Sequence, residues 1–256
     1  MQTELLARYD AEMRRDPPLT GGLVAARVGG VVRLSGPYNC IVYSELSEAD
    51  APAQVAAEVA HLKATGGQLE WKVHGHDQPE DLPRILEAQG FEAEPMETLL
   101  VRAIDETLWQ APADPHLSIR TVATEADVED FLKAVQAAFG HPFRYDPAQL
   151  LAGIRGGEVS VHVAYADGVP IAAGRLEMPA GRSFAGLYTG GVAPAQRGRG
   201  LYRALVQSRA REAAGRGYEY LITEALETSR PILQRLGFEP LTTVQGWVLD
   251  LEDGAA

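Results

Sequence analysis

A chain of 256 residues, 46% of them hydrophobic and 23% charged, has the composition of a folded protein and the length of two ordinary domains. A net charge of −12 excludes general nucleic-acid binding, which needs many phosphate-neutralising cations, and no apolar run approaches the roughly 18–20 residues of a membrane span. The lone cysteine, Cys40, excludes an intrachain disulfide. The opening stretch MQTELLARYDAEMRRDPP reads as a charged amphipathic segment rather than a signal peptide, so a cytoplasmic location is expected.

In the first half, AQVAAEVAHLKATGG reads as a helix stopped by glycine, QLEWKV as a strand, and PRILEAQGF as a short helix ending in Gly-Phe. APADPHL (111–117), with two prolines in seven residues, breaks all periodicity and reads as a linker between residues 1–110 and 118–256. SIRTV then reads as a strand, and Thr124 with Asp127 as the cap of a helix over TEADVEDFLKAVQAAF. FGHPFRYDP is a loop, and PAQLLAGI a second helix. EVSVHVAYA, VPIAAGRLEM and SFAGLYTGGV read as three strands, the first two joined by a turn at Asp167-Gly168. A helix from about Arg199 to Ala214, the strand GYEYLITEAL, the short helix SRPILQRL and the strand GWVLDL complete a mixed α/β order around a central sheet.

The halves repeat one another. PRILEAQGFE lies over RPILQRLGFE without gaps, from Ile85 over Ile232 to Glu92 over Glu239, and each is preceded by a strand and by a helix ending in glycine. The halves differ where chemistry is expected. The second has VAPAQRGRG where the first has YSELSEADAP, so Glu45, Glu48 and Asp50 repel an anion at the place where Arg197 and Arg199 attract one.

The segment GGVAPAQRGRGLYRAL (190–205) sits between a strand and a helix. A helix start offers unpaired N–H groups and a positive dipole end, glycines let the backbone curl against a diphosphate, and arginines add charge and forked hydrogen bonds. The dipole alone contributes only about 0.3–1 kcal/mol, so several N–H bonds and Arg charges must act together. Neither a Walker A loop nor a dinucleotide fingerprint is present.

VAPAQRGRGLYRAL, followed some thirty residues later by SRPILQRLGFEP, resembles the GNAT N-acetyltransferase superfamily over roughly Ser118 to Asp250. The whole chain is similar to two-domain bacterial members in which a degenerate N-terminal copy precedes an intact one. The resemblance implies two tandem GNAT-like domains, each a mixed, mostly antiparallel sheet flanked by helices. It implies acetyl-CoA as cosubstrate, its pyrophosphate cradled by Arg197, Gly198, Arg199, Gly200, Leu201 and Tyr202. The backbone at Gly191 and Val192, where the strand splays from its neighbour, is implied to hold the pantetheine and the acetyl carbonyl. The acceptor is expected to be the amine of a small molecule or peptide, with no metal and no nucleic-acid or membrane partner.

Two positions depart from the pattern. Tyr202 stands where the family has Gly or Ala, so its ring must turn toward the sheet, the solvent or the adenosine. Leu233 stands where many members have a tyrosine that protonates the leaving thiolate. A thiol of pKa near 8.5 leaves without full protonation, so transfer survives that loss, whereas a protonated amine cannot attack. Tyr188 and Glu224 are the candidate catalytic residues, with Glu177 a weaker one. His141, Phe143, Arg144 and Tyr145, in the loop that lines the acceptor pocket in this superfamily, are the candidate substrate-binding residues. His74 and His76 in HGHD lack a third metal ligand, and arginines 203, 209, 211 and 216 read as a solvated helix face, one of them available to a 3′-phosphate.

Overall fold

The structure, a computed structural model, describes residues 2–109, 117–141 and 145–251. Phe143 and Arg144, and the 111–117 segment apart from Leu117, lie outside the described residues. By its internal contacts the chain divides into two units. The first comprises Met1–Leu100 with Glu224–Pro231 and Pro240–Ala256, and the second comprises Val101–Thr223 with Ile232–Glu239.

In the first unit, α1 (Gln2–Tyr9) runs into a π-helix, Asp10–Arg15. The sheet order is β1 (Val24–Val28), β2 (Val31–Ser35), β3 (Cys40–Ser44), β4 (Gln68–His74) and β12 (Glu239–Asp250), with the two-residue β5 (Glu92–Ala93) also on β12. β3 and β4 are parallel, which requires the crossover helix α2 (Ala51–Thr65), and the other pairs are antiparallel. Trp71 lies opposite Trp247 in the β4–β12 ladder, and both enter a core with Ile41, Val55, Leu62 and Leu86 beneath α2 and α3 (Leu82–Ala88). The HGHD stretch is tied to the π-helix: Arg14, 2% exposed, donates to both Asp77 oxygens at 2.8 and 2.6 Å and to Asp10 at 2.6 Å, and His76 Nε2 lies 2.8 Å from Asp10. Among the described residues no group of His, Cys, Asp and Glu could hold a metal ion.

The chain passes to the second unit within β6 (Glu97–Ala103). There the order is β7 (Ser118–Thr121), β8 (Val159–Ala166), β9 (Val169–Glu177), β10 (Phe184–Val192) and β11 (Tyr220–Ala225), antiparallel except for the parallel β10–β11 pair. α4 (Glu125–Phe139) begins with the expected capping box, Asp127 N–H donating to Thr124 Oγ1 and the Asp127 carboxylate accepting from Thr124 N–H at 2.8 Å. α4 and α5 (Pro147–Gly156) cover the sheet through Phe131, Val135, Leu150 and Leu151. The helix α6 (Leu201–Gly215) packs Leu201 and Leu205 on Ala164, Ala172 and Val192.

Both units carry the order strand, loop, helix, parallel strand, short helix, Gly-Phe, and the repeat extends to single hydrogen bonds. Phe91 N–H donates to Leu86 O at 3.2 Å and Phe238 N–H to Leu233 O at 3.1 Å. Gly90 (φ +90°) and Gly237 (φ +82°) each take the left-handed conformation that closes α3 and α7 (Arg230–Gln234). Among the described residues no helix is long and apolar enough to cross a membrane.

Candidate active site

β10 and β11 pair only from Phe184↔Tyr220 to Gly186↔Ile222. The Thr223 hydroxyl then donates to Leu187 O at 2.9 Å, and beyond that bond the ladder stops. On its other edge β10 breaks register with β9 between Tyr188↔Arg175 and Gly191↔Ala173, so that Thr189 and Gly190 oppose Gly174 alone. Thr189 is held at φ +49°, left-handed backbone that a β-branched residue rarely adopts. A strand released on one side and bulged on the other presents main-chain groups that an ordinary ladder would consume.

The glycines here are dictated by close approach. A Cβ on Gly191 would stand 2.7 Å from Ala138 Cβ and 2.7 Å from Phe139 Cε2, at the end of α4. Val192, 9% exposed, packs on Leu201 and Leu205. After a 3-10 turn at Pro194–Gln196, Gly198 (φ +80°) and Gly200 (φ +78°) swing the chain into α6, with no atom within 4 Å of where either Cβ would be. The Gly200 conformation starts the helix at Leu201, two residues later than the sequence reading places it. No side chain caps this end, and the first main-chain bond recorded into α6 runs from Ala204 N–H to Gly200 O, so the Leu201, Tyr202 and Arg203 amides lack intrahelical acceptors.

The two loop arginines differ in role. Arg197 donates from Nε to Val192 O at 3.2 Å and from Nη2 to Ala138 O at 3.3 Å, clamping the loop to the end of β10 and the end of α4. Arg199 is exposed and hydrogen-bonds Gln196 Oε1. The Tyr202 ring turns toward the sheet, its Cε2 3.2 Å and its hydroxyl 3.6 Å from where a Gly190 Cβ would be. Burial pushes its phenol pKa up, against the opposing charge of Arg209. Its main-chain N–H stays at the helix mouth.

Of the candidate side chains, Tyr145 and Tyr188 are brought together. The Arg175 guanidinium stands 5.5 Å from the Tyr145 ring centroid and 5.6 Å from that of Tyr188. The Tyr145 hydroxyl is 2.7 Å from Thr189 Oγ1, so it reaches the bulge directly. His141 is exposed at the end of α4, its ring 6.4 Å from that of Phe139. Glu177 is ion-paired to Arg175 at 2.7 Å. Leu233 is 1% exposed, and its own side chain carries no proton to donate.

Glu224 belongs to the first unit, where it accepts from Lys72 Nζ at 2.6 Å beside a cavity of about 210 Å³ that Glu70, Glu94, Glu97 and Gly246 also line. Burial works against the Lys72 charge, but Glu224 and Glu70 outweigh it and hold the ammonium well above its ordinary pKa. Burial, with the Glu224 charge adding to it, pushes the Glu70 and Glu97 carboxyls up. The first unit's own strand–loop–helix junction carries acid instead of arginine: a cavity of about 410 Å³ is lined there by Glu45, Asp50, Gly29 and Gln54.

Three side chains that shape the site carry no motif: Thr189 in the bulge, Arg175 between the tyrosines, and Arg209. The last corrects the reading of a solvated arginine face, since Arg209 is 1% exposed. A signal existed. Residues 201, 205 and 209 are spaced by four on one helical stripe whose first two members are leucines, and an arginine in that stripe has to be buried or break the pattern.

Residues 125–238 match the model of the acetyltransferase (GNAT) family. A GCN5-related N-acetyltransferase from Kribbella flavida superposes with a TM-score of 0.69 at 16% identity, over 96% of this chain and 95% of that one. A functionally unknown conserved protein from Staphylococcus epidermidis gives 0.69 at 13% identity, over 94% and 97%. A tandem GNAT protein from the clavulanic acid biosynthesis pathway gives 0.64 at 16% identity, over 100% and 95%. At these identities the structures show the fold. A search of curated proteins found no match. The family match and the splayed, bulged strand leading into a glycine-started helix agree: residues 125–238 form an acetyltransferase domain of the GNAT family, a family of acyl-transfer enzymes.

Proposed function

We propose that the second unit transfers the acetyl group of acetyl-CoA to a primary amine of a small molecule or peptide, by direct attack in a ternary complex. One observation carries this reading: β10 parts from β11 after Gly186 and leads, through Gly198 and Gly200 in left-handed conformation, to the uncapped amides of α6. The amides of Leu201, Tyr202 and Arg203 suit a diphosphate, with Arg199 beside them and Arg197 holding the loop in place. The β10 backbone at Gly191 and Val192 suits the pantetheine arm and the acetyl carbonyl.

The acceptor nitrogen attacks the carbonyl carbon as a neutral amine. The C–N bond forms, the C–S bond breaks, CoA leaves as thiolate, and the ammonium proton passes to a base. Tyr188 is the candidate acceptor of that proton within the second unit, with His141 and Tyr145 the candidates for contact with the acceptor; Glu224, paired with Lys72 in the first unit, is not assigned that role. Buried Leu233 leaves thiolate protonation to solvent. The acidic charge of the chain steers cationic amines toward it. Acetyl-CoA as cosubstrate, no metal requirement and a reducing cytoplasmic setting for Cys40 complete the reading.

Acetyl-CoA is expected to raise the melting temperature through linkage, and Gly198→Glu to abolish that rise. A Gly198→Glu protein stabilised as the wild type is would refute the loop assignment. Release of CoA thiol across a panel of amines tests turnover. Tyr188→Phe tests the base and should lower kcat about 10²–10⁴-fold. Leu233 also favours a second reading, a CoA-binding sensor without turnover, which saturable thiol release excludes.

A further inference from the structure

Arg209 has a position that neither fold formation nor charge pairing explains. It lies on the inner stripe of α6 with no carboxylate partner among the described residues, and burial pushes its pKa down to about 10. A buried charge is costly unless hydrogen bonds compensate, and an apolar residue would continue the Leu201–Leu205 stripe without that cost. What the guanidinium contacts is the bulge. Nη1 donates to Arg175 O at 3.1 Å, the carbonyl of the residue that pairs with Tyr188 at the last regular position before the register breaks. Nε donates to Leu205 O at 3.1 Å, fixing the side chain to its own helix.

Gly174 makes room for the guanidinium, and Gly190 for the Tyr202 ring beside it. A Cβ on Gly174, the one β9 residue opposite the bulge, would stand 2.6 Å from Arg209 Cζ and 2.7 Å from Nη1. A Cβ on Gly190 would stand 3.5 Å from Arg209 Nη2 and 3.2 Å from Tyr202 Cε2. The Tyr202 ring and the Arg209 guanidinium thus lie together against Gly190, while Tyr145 reaches Thr189 within the same bulge. The residue that departs from the family pattern at 202 is the lid over the buried cation at 209.

We infer that Arg209, seated between Gly174 and Gly190 and covered by Tyr202, is a positioning residue that locks the β10 bulge in the register needed for the Gly191–Val192 backbone to receive acyl-CoA. The inference rests on the acetyl-CoA reading for the ligand but not for the lock. An extra residue in a strand is held only if the groups it frees find partners. Arg209 supplies one on the β9 side, and the absence of a side chain at Gly174 leaves the space through which that donor reaches the Arg175 carbonyl.

The test uses the full chain, with acetyl-CoA as probe in calorimetry and amide hydrogen exchange as a ligand-free readout. Arg209→Leu is expected to weaken acetyl-CoA binding about tenfold and to speed exchange at Thr189–Val192 at least tenfold, with the β8 and α5 amides unchanged. Gly174→Ala, whose methyl expels the guanidinium, is expected to do the same. In the double variant the losses should not add, because the methyl then meets empty space. Arg209→Lys, which keeps a donor, should recover to within about threefold of wild type. Additive losses, exchange quickened uniformly over the unit, or unchanged binding and exchange in Arg209→Leu would each overturn the lock. A wild type that binds no acetyl-CoA would sink the functional reading, and the exchange pattern alone would then decide the role of Arg209.

Discussion

Replacing Gly191 with alanine is the sharpest probe of how β10 meets α4. The added Cβ would lie 2.7 Å from Ala138 Cβ, against roughly 3.5–4.0 Å for an ordinary carbon–carbon contact, so about 1 Å must open between the strand and the last turn of the helix. Phe139, also 2.7 Å away, is 41% exposed and can swing aside. Ala138 cannot, because α4 is anchored by Phe131, Ala134 and Val135, each no more than 1% exposed. Overpacking of this kind costs about 1–3 kcal/mol. For a unit of this size 2 kcal/mol corresponds to a fall of roughly 6–10 °C in Tm. The matched control is Gly153→Ala within α5, whose Cβ would meet Val159 Cγ2 at 3.4 Å, so that helix propensity should raise stability by up to about 1 kcal/mol. Scanning calorimetry reads both. A Gly191→Ala transition within 1 °C of wild type, or one shifted no further than that of Gly153→Ala, would show that the close approach of strand and helix is not what the glycine serves.

Other consequences follow from the buried charges. Burial opposes the Glu212 charge, but hydrogen bonds from His162 at 2.8 Å and Ser160 at 2.7 Å outweigh it and hold its pKa at about 2. Its stabilisation is therefore complete above the unfolded value near 4.5 and is lost as pH falls toward 2. Urea melts of Glu212→Gln should show a flatter pH dependence below 4.5, and one as steep as wild type would refute this. Lys72→Met strands Glu224 among Glu70, Glu94 and Glu97, so the stability loss, about 3–5 kcal/mol at pH 8, should shrink at pH 5 as the raised carboxyls protonate. Equal losses at both pH values in chemical unfolding would count against it. Thr124→Ala removes the α4 cap and should cost about 1 kcal/mol, with Asp127→Ala no worse when combined, since the two act as one box. Separate, additive losses would contradict the reciprocal bonding.

The sequence by itself determined the local elements of the second unit and the glycine-arginine loop that leads into α6. Strand period, the Thr124–Asp127 cap and the Gly198–Gly200 pair act over a few residues, where backbone preference and capping chemistry decide the outcome without help from the rest of the chain. The repeat was legible for the same reason, since Gly90 and Gly237 stop their helices by identical short-range bonds. The register break at Thr189–Gly190, the burial of Arg209 and the pairing of Glu224 with Lys72 were decided only in three dimensions. Each depends on groups far apart along the chain, 34 residues for Arg209 and Arg175 and 152 for Lys72 and Glu224. So does the return of 224–231 and 240–256 to the first unit. A side chain's charge is written in the sequence, but the dielectric around it and the partner it meets are set by packing, and those fix whether an arginine is a solvated face or a buried support.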